Sequence, residues 1–210
     1  MKYLRTGGLV VLAAAVAMAL VGAGTASATV LCKVKETPCA AANEYPKGTV
    51  ADGSLPAGVS AKMLTTDGTV VMTCTAATIK GTLEVAGGPT ETPHSSSSGA
   101  TLNWSGCTQT MDTIKNGTIE IHHIAGTYNG TVIIKGVETT VNILGASCVY
   151  TYGSGVDVGV LTSGTQPKMD INGVLTKTAT SPFICPTTVK GQTEGVLTEP
   201  HELPVYVMDE

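Results

Sequence analysis

The chain has 210 residues, twelve basic and sixteen acidic side chains, and only 13% charged residues in all. Arg5 is its single arginine, and after residue 28 ten basic side chains face sixteen acidic ones, a net charge of −6. So few cations exclude nucleic acid, whose binding rests on phosphate contacts from arginine and lysine. They also argue against anionic membranes and heparin-like polymers as partners.

The first 28 residues read as an export signal. Lys2 and Arg5 make a positive start, residues 7–24 an apolar stretch, and Ala26-Ser27-Ala28 a small-residue cleavage site, which places the cut before Thr29. Lipid attachment at Cys32 would need a small residue before it, and Leu31 is not small. No second apolar run of spanning length follows, so the mature chain is expected to be soluble, secreted or displayed at the cell surface, with no membrane partner after cleavage. Its 182 residues suit a single domain. Residues 29–58 are expected to form an irregular N-terminal arm, Ala-, Gly- and Pro-rich from residue 40, and residues 59–210 one β-rich domain.

Threonine makes up about one mature residue in six, and it favours strands. Four dipeptides, Asp67-Gly68, Asn116-Gly117, Asn129-Gly130 and Asn172-Gly173, lie beside β-branched runs and read as two-residue hairpin turns. Further strands are predicted at 79–85, 101–104, 137–144, 148–152, 156–161, 189–197 and 205–208. No apolar pattern of helical period persists after residue 28. Residues 87–99 read as a flexible loop. The fold class that follows is all-β: an antiparallel sandwich or partly closed barrel of about 10–12 strands, stapled by disulfides.

All six cysteines, Cys32, Cys39, Cys74, Cys107, Cys148 and Cys185, lie beyond the export signal. An even set in an exported chain reads as a disulfide framework, although six cysteines allow fifteen pairings. Proximity suggests Cys32–Cys39, and order along the chain then suggests Cys74–Cys107 and Cys148–Cys185. In the chain-entropy description each of the two longer loops would contribute roughly 3–4 kcal/mol. No C-x-x-C is present and no histidine stands at ligand spacing, so a metal site is not expected.

The opening Thr29-Val30-Leu31-Cys32-Lys33-Val34-Lys35-Glu36-Thr37-Pro38-Cys39 is followed by Tyr45-Pro46-Lys47-Gly48-Thr49. Ile124-Ala125-Gly126-Thr127, Cys148-Val149-Tyr150-Thr151-Tyr152-Gly153, Phe183-Ile184-Cys185-Pro186-Thr187 and Pro204-Val205-Tyr206-Val207 follow later. With these motifs the chain resembles a group of secreted, cysteine-containing actinobacterial hypothetical proteins of unknown function. The resemblance covers most of the mature chain. It implies an exported β-rich protein and carries no activity, so it transfers no functional residue.

Candidate chemistry is sparse. His122 and His123 are neighbours in a predicted strand and face opposite ways. His122 shares a face with Glu120, whereas His123 shares one with Ile119 and Ile121 and is expected to be a hydrogen-bonded, buried ring. Ser95 to Ser98 follow His94 in a loop unsuited to holding a triad, and no G-x-S-x-G occurs. Glu120, Asp157 and Asp170 could serve a glycosidase only if two converged. No catalytic residue, cofactor or metal is therefore assigned. Tyr150 and Tyr152 share one strand face, and with Trp104 they are the candidate ligand-binding residues, a flat platform for a sugar ring or apolar ligand. The expected function is a non-enzymatic secreted or cell-surface module, a binding or envelope component whose partner is a cell-wall glycan or another surface protein. A small-ligand carrier using a barrel or sandwich cavity is the alternative, and an all-β hydrolase the remoter one.

Overall fold

The computed structural model describes residues 28–95, 100–199 and 204–209. Residues 1–27 of the expected export signal, Ser96 to Ser98 and His201 lie outside the described residues. The protein is all-β, a closed eight-stranded antiparallel barrel with extra strands and three disulfides.

Strand β1 (Thr29–Cys32) lies at one end of the barrel, apart from the wall. The wall starts with β2 (Val50–Ser54) and β3 (Ala61–Thr65), which lie end to end in one lane against the 16-residue β4 (Val70–Val85). After the short β5 (Gly87–Gly88), which joins β1, the third lane holds β6 (His94–Ser95) and β7 (Thr101–Cys107). The fourth holds β8 (Met111–Lys115) and β9 (Thr118–His123), and the fifth β10 (Gly130–Lys135) and β11 (Glu138–Ile143). The sixth holds β12 (Ala146–Tyr152) and β13 (Asp157–Thr162). Strands β14 (Lys168–Lys177) and β15 (Thr188–Glu199) complete the circuit, because the far edge of β15 pairs with β2 and β3. Closure leaves the wall no long unpaired edge. Between β7 and β8 the indole Nε1–H of Trp104 donates to Thr113 Oγ1 at 3.2 Å.

The alternation of β14 shows why these residues make a barrel. Met169, Ile171, Gly173 and Leu175 are buried and face inward, while Lys168, Asp170, Asn172, Val174 and Thr176 are exposed. Period two with one apolar face is what a wall with a dry inside and a wet outside requires.

The interior forms two cores. In one half, Met63, Met72, Val141, Tyr150, Leu175 and Val189 pack together. Both barrel disulfides, Cys74–Cys107 and Cys148–Cys185, belong to this half. In the other, Ile121, Val132, Ile134, Val158, Leu161 and Leu197 pack together. That second half ends in a small sheet in which β1 runs between β5 and β16 (Tyr206–Asp209). Val205, Val207 and Tyr45 from these terminal segments join its core, and the Tyr45 hydroxyl donates to the Pro204 carbonyl at 2.9 Å. The third disulfide, Cys32–Cys39, pins this cap.

All three pairings agree with those suggested by proximity and chain order. Two other expectations are corrected. The arm stops short of residue 58, because Val50–Ser54 is a strand of the barrel wall. Of the four predicted hairpin turns only Asp67-Gly68 sits at a hairpin tip, with Gly68 at φ +88°. Asn172-Gly173 lies mid-strand in β14, and Asn116-Gly117 separates two collinear segments. Asn129-Gly130 ends a longer connection and starts β10. These three glycines provide space rather than a left-handed backbone. A Cβ at Gly117 would lie 2.1 Å from the Lys135 carbonyl oxygen, and one at Gly173 would lie 2.9 Å from the Tyr152 ring.

Candidate functional site

Eight strands enclose a space that side chains can either fill or leave open for one small ligand. In the half beneath the terminal cap they leave it partly open. A cavity of about 100 Å³ lies among Ile79, Leu83, Ile119, Ile121, Leu161 and Met169. Its lining is almost wholly apolar. Ile79, Leu83 and Ile119 lie beside this core yet are only partly buried, since the cavity leaves part of each side chain uncovered.

The cavity has a mouth. Ala51 and Gly81 are register partners on the inward face, two residues along the strands from the paired Gly53 and Ile79. Ala51 is nonetheless exposed, so solvent reaches the interior there. Both mouth residues are small. A Cβ added at Gly81 would meet only the Ser95 Cβ, at an ordinary 3.5 Å.

Two smaller voids continue along the barrel axis. One of about 60 Å³ shares Ile79 and Met169 with the first cavity. Another, of about 40 Å³, shares Leu102, Trp104, Ile134, Tyr152 and Thr193 with the second. The three voids thus lie in series, separated by side chains rather than by backbone.

The structure revises the aromatic platform. Tyr150 and Tyr152 do share a face, but it is the inward one. Tyr150 is 0% exposed and its hydroxyl donates to the Pro186 carbonyl at 3.1 Å. Burial pushes its phenol up to about 12. Tyr152 is also held neutral by burial, which raises its phenol well above the ordinary value. Its ring lies across the paired glycines Gly173 and Gly191, where added Cβ atoms would come within 3.0 Å of it. No sugar ring can stack on Tyr150. Tyr152 and Trp104 do line voids, so two of the three singled-out residues stand at the interior site and one is a core residue.

The other candidates are spread over the outer surface or tied to neighbours. Glu120 pairs with Lys135 at 2.7 Å, and His122 Nε2 lies 3.5 Å from the same carboxylate. Burial raises the Glu120 carboxyl, but the lysine hydrogen bond and charge, with His122, more than offset it and hold the group below the ordinary carboxylate value. The His123 side chain is largely covered and hydrogen-bonded, with Nε2 2.7 Å from the Thr127 carbonyl and Nδ1 2.8 Å from Asp209. Asp157 and Asp170 are exposed on outward strand positions of β13 and β14. Ser95 Oγ accepts the Ile119 N–H at 3.0 Å, a structural bond. Cys32, Cys39 and Glu36 cluster, but the two sulfurs are bonded to each other. Glu36 accepts from Asn43 Nδ2 at 2.7 Å and from the Ala40 N–H at 2.8 Å, which together lower its carboxyl.

Sequence reasoning missed Ala51 and Gly81, because a small residue on an inward strand position carries no chemical signature until register pairs it with another. No protein-family model, curated protein or solved structure matches the chain.

Proposed function

We propose that this is an exported, non-enzymatic carrier or sensor of a small apolar ligand, held in the barrel beneath the terminal cap. One observation carries the reading: a closed barrel stapled at one end keeps an apolar cavity of about 100 Å³ at the other, with a mouth at Ala51 and Gly81. An apolar cavity costs stability through lost contacts, and an apolar guest seated in it would restore them. A dry cavity of about 150 Å³ takes a benzene-sized guest, which sets the scale here. Export is supported by the signal-like start and by three disulfides, which suit an oxidising environment. The glycan-platform version of the binding reading loses its support, since Tyr150 is buried.

The test is native mass spectrometry of the protein recovered from the medium of its own producing cells. The expected result is the mature chain from Thr29, six hydrogens lighter than its reduced form, with a non-covalent small molecule attached. Gly81→Leu, which fills the mouth, should remove that extra mass. A bare chain that also takes up no alkane, alkanol or small arene in solution would contradict the proposal.

A further inference from the structure

The void of about 40 Å³ at the waist of the barrel is lined by the side chains of Thr139, Tyr152 and Thr193. Thr193 is the register partner of Ile171, and Thr139 of Tyr150, so both sit on the inward face. Thr139 is 3% exposed. Neither its hydroxyl nor those of Tyr152 and Thr193 bond to another described residue, and none of the three is sealed off, the one fully buried side-chain atom without a hydrogen bond among the described residues being Asp209 Oδ1. These three hydroxyls give one small, largely apolar void a polar end, a socket that a hydrogen-bonding guest can use.

Resting on the carrier reading, we infer that this socket takes the uncharged hydrogen-bonding head of an amphiphile whose apolar body occupies the cavity between the socket and the mouth. From Gly81 at the mouth to Ala77, the register partner of Trp104, is four residues of extended strand, about 13 Å. That suits a medium-length alkyl chain. Ile79 and Met169 divide the intervening voids, and methionine repacks readily. The head is neutral. Lys62 borders the socket only from an exposed, outward position, opposite Gln192, so a buried carboxylate or phosphate would find no counter-charge. Hydroxyls both donate and accept, and so suit an alcohol or a carbonyl.

Trp104 is the only tryptophan of the chain and lines the socket, so its emission reports occupancy directly. Titrations with 1-octanol, octane and octanoate, matched in chain length, separate head from tail. The inference expects 1-octanol to shift Trp104 emission and to bind about tenfold more tightly than octane or octanoate. Tyr152→Phe and, separately, Thr139→Val should bring 1-octanol down to the octane value while octane binding stays unchanged. Unaltered 1-octanol preference in both variants, or octanoate binding as tightly as 1-octanol, overturns the inference but leaves the carrier reading standing. Failure of all three probes to bind the unmodified protein overturns both.

Discussion

In the half of the barrel that holds Cys74–Cys107 and Cys148–Cys185, Met63, Met72, Val141, Tyr150 and Val189 are at most 2% exposed. In the capped half, β4 carries Ile79 and Leu83 and β9 carries Ile119 around open space, and no disulfide crosses the wall there among the described residues. The contrast separates two tasks along one set of strands. Two covalent staples secure one end of the barrel, where the void is only about 40 Å³, while the other end keeps the larger opening of about 100 Å³. The cap contributes Cys32–Cys39, but this bridge pins the terminal sheet rather than the wall.

The largest expected effect breaks the stapled half. Replacing Cys148 and Cys185 together by alanine should cost about 2–5 kcal/mol, and Cys74 with Cys107 about the same, read as a fall in guanidinium midpoint under non-reducing conditions. Loss of Cys32–Cys39 closes a much shorter loop and should cost less. A second comparison uses matched truncations. Met72→Ala, from a side chain 2% exposed, should cost about 2–5 kcal/mol, whereas Leu83→Ala at the cavity should cost less than half as much. Equal costs would mean the two halves are packed alike.

Glycines sharpen the comparison further. Gly191→Ala drives a methyl to within 3.0 Å of the Tyr152 hydroxyl and of Leu175, and should destabilise by about 1–3 kcal/mol. Gly81→Leu brings its Cβ only into ordinary contact with the Ser95 Cβ and should stabilise by about 1 kcal/mol as it fills the cavity. The effect confined to alkaline solution is a pH dependence. Burial raises Tyr150 from the ordinary 10 to about 12, so the unfolded chain ionises first. Stability is therefore fully present below pH 10 and declines between pH 10 and about 12. Urea midpoints with phenolate absorbance should show this slope, and Tyr150→Phe should reduce it to the part that the buried Tyr152 phenol contributes.

Much of the wall was legible in the sequence. The β-branched runs became strands, and the cysteine order matched the pairing because consecutive cysteines lie on neighbouring elements of a meander. Asn172-Gly173 misled because the dipeptide codes a turn only where glycine needs a positive φ. Here Gly173 lacks a side chain so that the Tyr152 ring can lie against it. Val50–Ser54 was hidden in a stretch rich in glycine and proline, and only its pairing with β4 and β15 makes it a strand. The cavity was illegible for a deeper reason. Strand periodicity says that Ile79, Leu83 and Ile119 face in, but not that nothing opposes them.

The asymmetry itself is most directly measured by methyl NMR during titration with benzene. Methyl resonances of Ile79, Leu83 and Ile119 should shift saturably, those of Val141 and Val189 should stay fixed, and Gly81→Leu should abolish the shifts. Shifts spread equally over both halves, or absent from the capped half in the unmodified protein, would contradict that asymmetry.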